Sequence, residues 1–192
     1  MLTVNRKVKK STFKSLIVPK GKKSLSRVFY RRNCDGTVSV TNGVYLLSIP
    51  FHAIPVDFTG YFPADEGTIY GDGSFADTCP DFDAVIPDTT HFSELRQSRL
   101  VFCHEDMNPS ELELWTHGFD CRAVDRRIMG VIRDLYPSVS LRANMGEGLN
   151  TPLGVYSDDE FVGVLMPDKV ESRIEDEIGH FTATGLPVAA AV

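Results

Sequence analysis

The stretch from Asp120 to Tyr136, DCRAVDRRIMGVIRDLY, constrains the fold most, because its apolar residues keep a helical period along its length. Cys121, Val124, Ile128, Val131, Ile132 and Leu135 fall at i, i+3, i+7, i+10, i+11 and i+14, one face of a helix. Arg122, Arg126 and Arg133 fall on the opposite face, with Arg127 on the flank. Asp120 is placed to cap the N-terminus, and Pro137 to stop the helix after Tyr136. The spacing therefore predicts a helix over 120–136 with one face on a core and guanidinium groups in solvent.

Around it the pattern is that of strands. RVFYRR and TVSVTNGVYLLSIP flank Asn33-Cys34-Asp35-Gly36, and the Asp-Gly pair predicts a hairpin. Val38, Val40, Val44 and Leu46 alternate with Ser39, Thr41 and Tyr45, as in a sheet with one buried face. Asn42-Gly43 reads as a turn or a bulge within this run. Further strands are expected at Thr68–Tyr70, Ser98–His104, Glu111–Thr116, Ser138–Ala143, Leu153–Tyr156 and Phe161–Met166, with Asp158-Asp159 turning between the last two. The second half thus reads strand, strand, helix and three strands. That is an α+β chain with one main amphipathic helix on a face of an antiparallel sheet.

The net charge of −6 hides an asymmetry. Residues 1–32 hold eleven Lys and Arg and no acidic residue, whereas the rest holds nine basic against 26 acidic residues, a net of −17. A basic arm on an acidic body predicts contact with a polyanion or attraction between arm and body; the plain alternative is a solvated leader. Within the arm, Phe13, Leu16 and Ile17 suit a short basic amphipathic turn. The expected organisation is a basic arm over 1–26, a body over 27–170 with sub-repeats of about 27–90 and 91–170, and a peripheral tail over 171–192. No apolar run approaches the roughly 18 residues of a membrane span. Leu16–Val18 is too short for a signal peptide. Cys34, Cys79, Cys103 and Cys121 form no CxxC pair, which predicts reduced thiols and a cytoplasmic location.

Motifs for chemistry are weak. Gly71-Asp72-Gly73-Ser74-Phe75-Ala76 matches GxGxxA, but Pro80 follows almost at once and Asp72 would set a negative charge beside a phosphate. Cys103-His104 and His117-x-x-x-Cys121 offer zinc-type ligands without paired metal spacing. The carboxylates at Asp81, Asp83, Asp158, Asp159, Glu160 and Glu175 to Glu177 lie in turns or polar stretches. No Ser, His and Asp set and no nucleophile elbow stand out. The expectation is a protein that is not an enzyme, with no catalytic residue, cofactor or metal.

Three segments together resemble the bacterial DNA polymerase sliding clamps. DGTVSVTNGVYLLSIP (Asp35 to Pro50) resembles the clamp strand pair in which a Gly-containing hairpin leads into a Thr-Asp-Gly-His-Arg-Leu motif. CPDFDAVIP (Cys79 to Pro87) is similar to the segment between clamp domains that ends in Val-Ile-Pro or Val-Leu-Pro. FVGVLMP (Phe161 to Pro167) looks like the last clamp strand, which closes on Met-Pro. The order matches over Arg27 to Asp168, with FDCRAVDRRIMGVIRDLYPSVSLRA where a clamp has a helix before its final strands. The departures are Asn42 for the acidic residue, Val44-Tyr45 for His-Arg, and no clear helix in the first half.

The resemblance implies a shortened clamp-like fold and a processivity or replication-accessory role, with duplex DNA bound without sequence specificity. It also implies replication partners such as a polymerase, and a homo-oligomer of roughly six copies if a ring forms. On that reading Arg122, Arg126, Arg127, Arg133 and Arg142, with Lys9, Lys10, Lys22 and Lys23, meet DNA phosphates. The alternative is a clamp-fold interaction or regulatory module, of the kind a phage or mobile element could encode, that does not encircle DNA. Clamps bind partner peptides in an apolar pocket, so the two readings share a type of surface.

Overall fold

The computed structural model describes residues 8–17, 28–60, 62, 65–67, 69–71, 81–103, 111–118, 120–145, 148 and 151–168. Its elements in chain order are α1 (Lys10–Ile17), β1 (Phe29–Arg32), β2 (Thr37–Thr41), β3 (Tyr45–Pro50), a 3-10 turn (Phe51–Ala53), α2 (Val56–Thr59), β4 (Ile69–Gly71), β5 (Phe92–Cys103), β6 (Glu111–His117), β7 (Asp120–Asp125), α3 (Arg126–Leu135), β8 (Val139–Asn144), β9 (Leu153–Ser157) and β10 (Glu160–Leu165). The ten strands form one antiparallel array in the order β4-β1-β2-β3-β10-β9-β8-β5-β6-β7. The α+β expectation holds at that level.

Turn chemistry fixes the hairpins. Between β2 and β3, Asn42 Oδ1 accepts from the N–H of Val44 at 3.0 Å and of Tyr45 at 3.2 Å, while Gly43 takes a positive φ of 85°. That is an Asx-type turn, and Gly43 adopts its left-handed φ without a Cβ clash. Between β9 and β10, Asp158 and Asp159 both have positive φ, which gives the right-handed twist of a two-residue hairpin.

Period-two alternation sorts the side chains onto two faces. Val38, Val40, Leu47, Ile49, Leu141, Ala143 and Val155 share a core with Phe13 and Leu16 of α1 and Met129, Ile132 and Leu135 of α3. On the other face Phe29, Leu46 and Val164 pack around Phe82. The central strands of the array, β1-β2-β3-β10-β9-β8, mirror about the β3–β10 pair, and α1 and α3 touch each other on the core face. A helix and three strands therefore occur twice, as α1-β1-β2-β3 and as α3-β8-β9-β10.

The helix expected over Asp120–Tyr136 is shorter. Asp120–Asp125 is β7, in register with β6 from Leu112↔Asp125 to His117↔Asp120. Cys121, Arg122, Ala123 and Val124 are all buried, so β7 is covered on both faces. A strand buried on both sides places apolar residues without a phase, and here it happened to extend the helical spacing. The N-cap is Asp125, not Asp120; its extended backbone lets its side chain accept from Arg127 N–H. The C-terminal stop falls at Tyr136, before Pro137, as expected. In the basic arm, the amphipathic turn expected around Phe13 and Leu16 is the helix α1, and both side chains are buried in the core, so this part of the arm is not a solvated leader.

Candidate functional site: an apolar pocket and a helix layer

The tip of the β2–β3 hairpin stands at the edge of the sheet face that carries Phe82. The segment leaving β10 returns beside it, and Met166 N–H donates to Val44 O at 2.7 Å. A connector over residues 81–90 closes the other side. It is held by Phe82, inserted against Phe29, Leu46 and Val164. Arg31 lies 5.0 Å from the centre of the Phe82 ring and donates twice to Asp83, at 3.0 and 2.8 Å. The Arg31 guanidinium holds the Asp83 carboxyl below its ordinary range, and Asp83 raises the guanidinium in turn. Asp81 Oδ1 accepts from the N–H of Asp83 and of Ala84, tightening the turn that precedes Val85.

These three segments enclose a cavity of about 90 Å³ lined by Thr41, Gly43, Val44, Tyr45, Leu46, Val85, Val164 and Met166. Sites for drug-sized molecules run to roughly 300–1,000 Å³, so this one suits one or two aliphatic side chains. Val44, Val85 and Met166 remain 39%, 41% and 37% exposed, and Ile86 beside them 40%. Exposed apolar groups from three separate segments thus stand side by side around the cavity. Tyr45 borders the pocket at the base of the hairpin, but its ring is buried in the helix-side core, where its hydroxyl donates to Leu16 O at 3.5 Å and burial pushes the phenol well above the usual tyrosine range.

The residues expected to meet phosphate are distributed differently from their sequence pattern. Arg122 is not on a helix; it lies in β7, 1% exposed, and donates to Cys121 O. Arg126 and Arg127 open α3 and are exposed, but Arg127 is bound to Asp125, which raises its pKa. Burial pushes the Asp125 carboxyl up, and the Arg127 side-chain and backbone N–H groups outweigh it, so the net shift is downward. Arg133 grips Glu113 with two bonds of 2.7 and 2.6 Å and lies over Trp115, while Glu113 is only 3% exposed. Arg142 sits on β8 between Leu141 and Ala143 of the helix-side core, so it faces the opposite side of the sheet. There it stacks 4.1 Å from Tyr156 and pairs with Asp159.

Lys9 and Lys10 are exposed at the start of α1, and Lys10 pairs with Asp57 of α2. Lys22 and Lys23 lie outside the described residues. The structure therefore gathers Lys9, Lys10, Arg126, Arg127 and Arg133 on or beside two touching helices, and separates Arg122 and Arg142 from them. Lys14, exposed in the last turn of α1, belongs to the same layer. It stands outside the set expected to meet phosphate, although Lys9 and Lys10 of the same basic arm are in it. The pocket was missed as a site, although its walls come from the three clamp-like segments.

Among the described residues no group of three His, Cys, Asp or Glu could hold a metal ion, and no helix is long and apolar enough to cross a membrane. The GxGxxA match has only Gly71 within the described residues, at the end of β4. Compared with protein-family models, curated proteins and solved structures, the chain matches none.

Proposed function

We propose that this protein acts by binding, as a clamp-like module whose apolar pocket captures a short apolar segment of a partner protein, a replication protein such as a polymerase among them. The observation that carries the reading is the pocket itself. The hairpin tip at Gly43 and Val44, the connector at Val85 and the strand end at Met166 converge on one cavity and leave apolar surface in solvent. These are also the segments that resemble clamps. Covering such surface contributes about 25 cal/mol per Å² removed from water, offset by the cost of ordering the bound segment. The test is fluorescence anisotropy of a labelled Leu- and Phe-containing pentapeptide. Binding should be lost in Val44→Asp and in Met166→Asp, two exposed positions where a carboxylate leaves the core intact. Unchanged binding in both variants would discard the pocket.

A second reading, contact of the helix layer with duplex DNA phosphates, is favoured by the side-by-side packing of α1 and α3 with exposed Lys9, Lys14 and Arg126. Such contact is independent of sequence and weakens with salt, with a slope near −0.9 per phosphate neutralised on a log–log plot. A Lys9→Glu, Lys14→Glu, Arg126→Glu variant should lose DNA retention in a gel-shift assay at low salt. Wild-type protein that ignores duplex DNA at low salt rules this reading out. Light scattering with and without DNA tests the homo-oligomer that a ring requires.

A further inference from the structure

The charge beside the pocket comes from the connector over residues 81–90. Residues 39–48, with the hairpin tip, contain no ionisable Lys, Arg, Asp or Glu. Residues 81–90 contain Asp81, Asp83 and Asp88 and no Lys or Arg; Asp168, two residues after Met166, is followed by Lys169 and lies instead by β7, its N–H donating to Ala123 O and its charge acting on Arg127. Asp83 is matched by Arg31, whose charge also acts on Asp81. Asp81 and Asp88 are exposed, and their Oδ1 atoms accept from backbone N–H groups of the connector, with Thr90 Oγ1 also donating to Asp88. Those bonds orient each carboxylate and leave its formal charge in place. Val85, an exposed wall of the cavity, lies between these two acids in sequence.

We propose that the segment taken by this pocket is apolar at its centre and basic at its flanks. The inference rests on reading the pocket as a peptide site and adds the class of peptide. An aliphatic side chain would enter between Val44, Val85 and Met166, while Lys or Arg on either side would run along the carboxylates of the connector. An acidic flank would bring like charge against Asp81 and Asp88, which lowers the association rate and selects against that partner. Because these carboxylates are exposed, the preference acts over about one Debye length and shrinks with salt.

Four labelled peptides test this by anisotropy on the full chain: a Leu-Val-Leu-Phe core flanked by lysines, by serines or by glutamates, and a lysine-flanked peptide with a serine core. The lysine-flanked apolar peptide should bind about tenfold more tightly than the glutamate-flanked one at low salt, with the gap narrowing as salt rises. Neutralising the connector in an Asp81→Asn, Asp88→Asn double variant keeps the Oδ1 acceptors. It should close most of that gap and leave the serine-flanked peptide unchanged. Equal affinity of the three apolar peptides would overturn the basic-flank inference while leaving the pocket reading intact. Binding of the serine-core peptide as tightly as the lysine-flanked apolar one would overturn it too, by showing attraction without the pocket. Failure of all four to bind would overturn both.

Discussion

The two helix-and-three-strand units, α1-β1-β2-β3 and α3-β8-β9-β10, occupy mirrored places about the β3–β10 pair but handle their cations differently. In the second unit Arg127, Arg133 and Arg142 are tied into the fold. Arg127 closes onto the Asp125 cap, Arg133 reaches back to Glu113 on β6, and Arg142 locks across a hairpin to Asp159. In the first unit Lys9, Lys10 and Lys14 are exposed along a helix of eight residues, and α1 is anchored by Phe13, Leu16 and a bond from Thr12 Oγ1 to Asp134 of α3. Guanidinium, with its planar fork, suits fixed bidentate pairs, whereas ammonium is a mobile point charge. The comparison teaches that the conspicuous arginine run is largely architectural. The less conspicuous lysines keep more charge available to an outside anion.

The comparison can be broken most sharply at α1. Phe13→Ala removes an aromatic side chain from the shared core and should cost about 3–5 kcal/mol in urea unfolding. A loss below about 1 kcal/mol would mean that α1 is an accessory. In the second unit, Arg133→Ala leaves the buried Glu113 carboxylate without its fork. About 2–3 kcal/mol is expected, less than for a fully enclosed pair because solvent reaches the guanidinium. Asp125→Ala should cost about 1 kcal/mol by leaving the first turn of α3 uncapped, while Asp125→Asn, which keeps the acceptor, should recover most of it.

The smallest effect concerns the connector. Asp83 is depressed by Arg31, so its contribution is complete above the unfolded carboxylate pKa and fades as pH falls through the lower folded value. Amide exchange over residues 81–86 should therefore quicken only on strong acidification, and Asp83→Asn should remove that dependence. An unchanged acid profile in the variant would separate the connector's order from the ion pair.

Much of the sheet was legible because its hairpins announce themselves. Asn42-Gly43 and Asp158-Asp159 sit between alternating apolar runs, and local turn chemistry decided the outcome. What failed was phase. Cys121 to Asp125 lies in a strand buried on both faces, so its spacing carried no information about a helix, and Arg122 went inside rather than outside. For α1 the sequence showed an amphipathic turn at Phe13, Leu16 and Ile17 but not its docking, because eight residues offer few core positions against a lysine-rich background. Asp134, far away in sequence, supplies its polar tether. The pocket was invisible as a cavity, since Val44, Val85 and Met166 meet only once β10 has paired with β3 and Phe82 has been seated. Their residues were nonetheless the ones that prompted the family resemblance.

Gly163 stands opposite Leu47 in the β10–β3 pairing, and a Cβ there would come within 2.1 Å of Leu46 O. The next residue along, Val164, is the register partner of Leu46, and both line the pocket. The width of the cavity is therefore geared to the seam between the two units. Any side chain at position 163 would act as a wedge, prising the strands apart and opening the pocket from beneath, with no change to a residue that a partner could touch.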